Sequence, residues 1–325
     1  MNALSGFIDF QGRPRPTAAL HCYLIQAVAF GLAIYLFSSW NLSSIAFIPD
    51  EAFSRLSRAK LHSYWKTPWF HYTTFQFIYD FVPRPSATTI RNLQFVIIGS
   101  AFFGLLGIFP RIMAWVAFIL GAHLIGGFLQ ASDTIDASTT VIQFLLLVVA
   151  IFPRDAYYTI RRFRPLELND KYHGPYFLIL FFMMMYYCLS AINKIVDIGP
   201  DWFLQARLDL FSVHAIERSL FVSTISTSMW FSSILSNYEL ATVSAFLVLV
   251  IELMAPLALF VPRLIPLFVL YFASMHFSIY LSHGYGYWSN MCVDLLLLPY
   301  TSIALWYARR QNLRPLAEFE LAAKP

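Results

Sequence analysis

The chain has 325 residues, of which 58% are hydrophobic and 12% charged, with a mean hydropathy of +0.61 and a formal net charge of +4. Soluble domains carry roughly 25% charged residues, so this composition excludes a soluble globular protein and gives an all-α, polytopic transmembrane bundle. No basic run interleaves with stacking aromatics, which excludes a single-strand nucleic-acid binder. Cys22, Cys188 and Cys292 lie far apart in apolar runs with no CxxC, so neither a redox pair nor a zinc site is expected.

Residues 1–17 are too polar for a cleaved signal peptide, and the first apolar run serves as the insertion signal. A span needs about 20 mostly apolar residues. Runs of that kind occupy 18–38, 90–109, 112–130, 138–152, 176–193, 240–261, 264–281 and 288–307, about eight spans in a single bundle over 18–307. The long segments 40–89 and 194–239 are rich in aromatics and read as amphipathic interfacial helices on the outer, lumenal side. Asn41-Leu42-Ser43 matches a glycosylation sequon but adjoins the first span too closely for easy use. Residues 308–325 form a cytosolic tail.

Charge gives the orientation. With a cytosolic N-terminus, the inner segments hold 13 basic and 6 acidic residues and the outer segments 9 and 10. That asymmetry follows the positive-inside rule, with both termini cytosolic. The sequences GIFPR (107–111), AIFPR (150–154) and LFVPR (259–263) recur at three inner span ends, where proline is expected to stop the helix and arginine to anchor it. The RRFR at 161–164 reads as a contact with anionic membrane lipid. In a eukaryotic cell the expected location is the endoplasmic reticulum.

Counting helix rise from each outer end places His123, Gln143, His276 and Asp294 roughly 9 to 11 Å below the outer surface, with Glu252 near mid-membrane and Lys194 at the outer end of the fifth span. The inner half of the same runs is almost purely apolar. An ionisable group in hydrocarbon is costly and needs a partner or neutralisation. His276 and Asp294 are expected to be neighbours within hydrogen-bond or one-water reach, facing the interior with Glu252 below. His123 and Gln143 have the plainer alternative of bonding a neighbouring helix. No HExxH, GxSxG or P-loop occurs. Asp133/Asp136 and Asp197/Asp201 are carboxylate pairs of metal-friendly spacing in outer loops, where solvated acids are common, and no metal or cofactor is expected.

The segment SAINKIVDIGPDWF (190–203), with Lys194, Asp201 and Trp202, resembles the span exit of the vitamin K-dependent gamma-carboxylase-like (HTTM) membrane superfamily. Glu252 and Pro256 in IELMAPLALFVPR, and His276 in MHF, resemble that superfamily's Glu-x-x-x-Pro and His landmarks. The likeness covers about 90–305, and in the carboxylases it implies the lysine as base on a reduced quinone. Size and helix count are more similar to the small eight-span membrane-bound terpene cyclases of fungal meroterpenoid pathways, of the ascochlorin and ascofuranone type. That likeness implies protonation of an epoxide on a prenylated aromatic, followed by cyclisation without a metal. Asp294 or Glu252 would be the acid, and His276 would orient or activate it. Tyr271, Tyr280, Tyr287 and Trp288, with His123 and Gln143, would line the substrate pocket, although core packing and the interfacial belt also explain such aromatics. The lipophilic isoprenoid would enter laterally from the bilayer, and a prenyltransferase and an epoxidase would be the partner enzymes of the pathway. Two readings compete: a quinone- or lipid-directed oxygenase or carboxylase with Lys194 as base, and a non-enzymatic transporter or lipid-binding protein.

Overall fold

The computed structural model describes residues 10, 12, 16–39, 42, 46, 85–131, 137–160, 163–197, 199–200, 204, 237–283 and 288–310. Helices dominate them: α1 Ala19–Ser39, α2 Ala87–Leu105, α3 Pro110–Ala131, α4 Ala137–Ile151, α5 His173–Asp197, α6 Tyr238–Met254, α7 Ile265–His283, α8 Trp288–Leu296 and α9 Tyr300–Arg310. One antiparallel pair of two-residue strands, β1 Thr17–Ala18 and β2 Leu168–Asn169, ties the entrance of α1 to the segment before α5. Among the described residues four helices are long and apolar enough to cross a membrane, over Ala19–Ser39, Asp170–Val196, Tyr238–Leu259 and Pro262–Ile279, and Pro110–Ile125 and Thr139–Ile151 are shorter apolar helices. Most of the two outer segments expected to be interfacial helices (47–84 and 205–236) lies outside the described residues, as do 1–9 and 311–325.

Helix α1 is the centre of the bundle. Its 21 residues carry no charge. It packs against α2, α4, α5, α8 and α9, burying Ala19, Cys22, Ile25, Ala29, Phe30, Ala33 and Phe37. Helices α2, α3, α6 and α7 turn large apolar side chains outward, among them Phe95, Phe103, Ile112, Ile119, Phe246, Leu267 and Phe277. In water such a surface would be unfavourable; in lipid it is the expected exterior.

The FPR sequences work differently from the expectation. Helix α2 ends before its proline: Ile108 N–H donates to Phe103 O and Gly107 N–H to Gly104 O, with Gly107 at φ +76°. That pair of bonds is a Schellman cap, which needs a left-handed residue after the helix. Pro110 is then the first residue of α3, where its missing N–H costs nothing. Pro262 likewise opens a short 3-10 turn, and Pro153 precedes one. Pro110 and Pro262 are thus the first residues of the elements that follow, and Pro153 stands immediately before one. The arginines do tie these ends: Arg111 Nε donates to Ala150 O at 2.8 Å, joining α3 to α4. Tyr157, beyond α4, donates its hydroxyl to Val148 O at 2.9 Å, and burial pushes that phenol well above its ordinary pKa, so it stays a neutral donor.

The expected single span over 288–307 is two helices. Helix α8 has 9 residues and α9 has 11, separated at Leu297–Pro299. Pro299 has no N–H to continue the helix, and its ring would crowd the Leu295 carbonyl. The last turn tightens to i→i−3 bonds, Leu297 N–H to Asp294 O and Leu298 N–H to Leu295 O. The Leu298 carbonyl at the break accepts from Tyr300 N–H at 2.7 Å and from His21 Nε2 on α1 at 3.0 Å. Thr301 Oγ1, one turn into α9, lies 3.2 Å from His21 Nδ1 and accepts from Ala18 N–H. A buried histidine on the central helix therefore supports the break in its neighbour. That break leaves Asp294 in the last turn of α8, a helix that packs against α7 and α4.

Candidate acid centre at the α5–α6–α7–α8 junction

Three buried side chains from three helices meet at Asp294. Its carboxyl group has no measurable exposure, and His276 and Tyr187 are 5% and 2% exposed. The Tyr187 hydroxyl donates a shared bond to both carboxyl oxygens, at 2.8 and 2.9 Å. His276 Nδ1 lies 3.1 Å from Oδ2. The expected adjacency of His276 and Asp294 is present as a direct contact, and both face the interior. Carboxyl contact at Nδ1 orients the imidazole.

The phenol is held by its ring as well as its hydroxyl. Tyr187 stacks on Phe272 at 3.6 Å and 11°, and Phe272 sits one turn before His276 on α7. Phe268 and Tyr271 pack on Phe272 in turn, at centroid distances of 6.0 and 5.6 Å. On the other side Tyr186 meets Tyr187 edge-on, and Phe182 bridges from Tyr186 to a close stack with Phe144 of α4. An almost continuous run of rings thus connects α4 to α7 past the carboxyl group. Ring faces carry partial negative charge and attract cations.

Two turns along α5 from Tyr187, Lys194 forms an ion pair with Glu252 of α6, its Nζ 2.8 Å from Oε1 and 2.5 Å from Oε2. Glu252 is 3% exposed and sits within electrostatic range of His276, Tyr187 and Tyr271. The pairing corrects the depth expected from sequence. Glu252 is 14 residues into α6, about 21 Å of rise, whereas Lys194 is 3 residues from the end of α5, about 4.5 Å. The count assumed that the helices begin level and run parallel, and the pair shows that these two do not.

The structure therefore gathers Asp294, His276, Glu252, Lys194 and Tyr271 on four adjoining helices. Gln143 lies on the α1–α3–α4 side, its amide packed over Gly121 near Phe37. His123 is half-buried on α3. Tyr280 and Trp288 belong to α7 and α8, but their side chains, and the whole of Tyr287, lie outside the described residues. Asp133, Asp136 and Asp201 do so too, and among the described residues no three His, Cys, Asp or Glu side chains form a metal-binding group. Sequence reasoning missed Tyr187. It is one of 18 tyrosines, and its one distinguishing signal is the seven-residue spacing that puts it on the Lys194 face of α5. No family model, curated protein or solved structure matches the chain.

Proposed function

We propose that the chain is an integral membrane terpene cyclase that starts cyclisation of an epoxidised isoprenoid, or of a prenylated aromatic, by proton donation from the Asp294–His276 couple. The observation that carries this reading is a fully buried carboxyl group, held by a phenol and an imidazole, beside a run of aromatic rings. An acid in a dry pocket is what epoxide opening requires, and general acid catalysis is worth roughly 10²- to 10⁴-fold. The proton passes to the epoxide oxygen as a C–O bond breaks. An alkene π pair then forms the new C–C bond, and aromatic faces stabilise the migrating cation. Loss of a C–H proton closes the sequence and restores the acid, so substrate and product are isomers.

Of the two candidate acids, Asp294 fits the role better. Glu252 is committed to a two-point ion pair with Lys194, whereas Asp294 contacts two groups that can exchange a proton. The same ion pair weighs against Lys194 as a base on a quinone, because a base needs an uncommitted amine. In this reading the four long apolar helices, α2, the shorter α3 and α4 and the broken α8–α9 unit are the eight crossings; the cytosolic placement of both termini rests on the charge asymmetry of the sequence, and the membrane is an endomembrane such as the endoplasmic reticulum. Membranes carrying Asp294→Asn or Glu252→Gln, supplied with an epoxy-farnesyl aromatic, test the assignment. The expected result is loss of turnover by about 100-fold or more in the first and a smaller loss in the second. Full turnover in both would remove the acid assignment.

A further inference from the structure

Buried polar groups on α8 and on its neighbour α4 are not all paired. Asn290 Oδ1, Ser289 Oγ and both amide atoms of Gln143 have no hydrogen-bond partner among the described residues. All three residues are nine-tenths buried or more, at 2%, 4% and 1% exposed. A polar atom buried without a partner opposes folding, and such atoms in a native protein call for a specific explanation.

Their positions suggest the explanation. Asn290 and Asp294 are four residues apart on α8, so they lie on one face with their Cβ atoms about 5–6 Å apart. Helix α8 packs against α4, which carries Gln143. Room for the Gln143 amide is made by Gly121 of α3, where a Cβ would approach Nε2 to 2.5 Å. The bundle thus keeps an uncommitted acceptor one helical turn from the carboxyl group that we assign as the acid.

We infer that Asn290 is a positioning subsite for a second polar group of the substrate, a hydroxyl carried about one helical turn from the atom that receives the proton. The inference rests on the reading of Asp294 as the acid centre, and it narrows the substrate class. An acceptor oxygen recognises an O–H donor, which an ether or an epoxide cannot supply. A lipophile whose only oxygen is the epoxide would leave Asn290 unpaired, and a hydroxylated one would not. Sites that hydrogen-bond a substrate hydroxyl discriminate strongly against the analogue that lacks it.

The test uses purified full-length protein and two probes, a farnesylated phenol and its methyl ether. Thermal stabilisation is measured for the unsubstituted chain, Asn290→Leu and Gln143→Leu. The phenol is expected to bind roughly tenfold tighter than the ether to the unsubstituted chain. Asn290→Leu is expected to bind both equally, and without ligand both leucine variants should melt at or above the original temperature, because an unpaired amide has been replaced by an apolar group. A phenol preference that survives Asn290→Leu overturns the inference, as does equal binding by the unsubstituted chain. A fall of several degrees in the unliganded Asn290→Leu protein also overturns it, since the amide would then be serving the fold. Asp294→Asn separates the two claims: turnover that survives this substitution removes the acid reading, while the phenol-to-ether comparison still decides the subsite.

Discussion

At Glu252 the decisive contact is with Lys194. Removing one partner of a buried ion pair strands the other charge, which typically costs about 3–5 kcal/mol, whereas replacing both by apolar or neutral shapes of similar size is close to neutral. Lys194→Met is therefore expected to lower the melting temperature sharply, and the double variant Lys194→Met, Glu252→Gln is expected to recover most of the loss; equal melting of the single and double variants would show the pair to be energetically idle. Tyr187→Phe keeps the stack on Phe272 and removes the bond to both Asp294 oxygens. Its expected signature is an approximately 10-fold fall in kcat with little change in KM, because a group that holds the acid acts on the chemical step; unchanged kcat would mean that the phenol does not set the acid's position. Part of this centre was legible in the sequence. Asp294 and His276 stand out because charge is costly in an apolar run, and their adjacency follows from two helices joined by a short connection. Tyr187 is not legible in that way, since a tyrosine in an aromatic-rich span resembles core. The Lys194–Glu252 pair was hidden by the assumption of level helix ends.

Among the elements, the broken α8–α9 unit matters most. A run of apolar residues from 288 to 307 reads as one span because hydropathy does not register where the backbone stops. Pro299 was visible, but the contacts that hold the break were not: Leu298 N–H takes the Leu295 carbonyl, and the Leu298 carbonyl is held by His21, 277 residues away in sequence. The inner turns show the same division. Their FPR sequences mark the places where the chain reverses, but the Gly107 cap and the role of Pro110 as a helix start depend on backbone geometry. Gly107 also packs closely: a Cβ there would lie 2.8 Å from Thr159 Cα, at a φ of +76°. Gly107→Ala combines a disfavoured backbone with a steric overlap against backbone atoms and is expected to cost about 1–3 kcal/mol. Denaturation of the purified protein checks this, and a loss under about 0.5 kcal/mol, the range of ordinary surface changes, would contradict the tight α2–α3 corner.

At the scale of the whole molecule, an uncharged central helix is surrounded by helices with apolar outer faces, and the buried carboxyl groups among the described residues, Glu252 and Asp294, lie where α5, α6, α7 and α8 adjoin. Composition makes the membrane class legible, since 12% charge cannot cover a soluble protein of this length. The arrangement of neighbours is not legible from periodicity, because helices that meet lipid on one side and protein on the other are apolar on both. The proposed orientation makes the two termini equivalent: in a cysteine-free background, single cysteines introduced at positions 14 and 312 should both react with an impermeant reagent from the cytosolic side only. Labelling of the two from opposite sides would leave an odd number of crossings and overturn the charge argument.

Asp294 is the residue on which the functional account turns, and its proton can be removed with almost no change of shape. The measurement is the turnover of an epoxy-farnesyl aromatic by Asp294→Asn, with the melting temperature read on the same preparation. The account predicts a folded protein that melts within a few degrees of the original and turns over at least about 100-fold more slowly. A folded Asp294→Asn protein that cyclises the substrate at the original rate would contradict it.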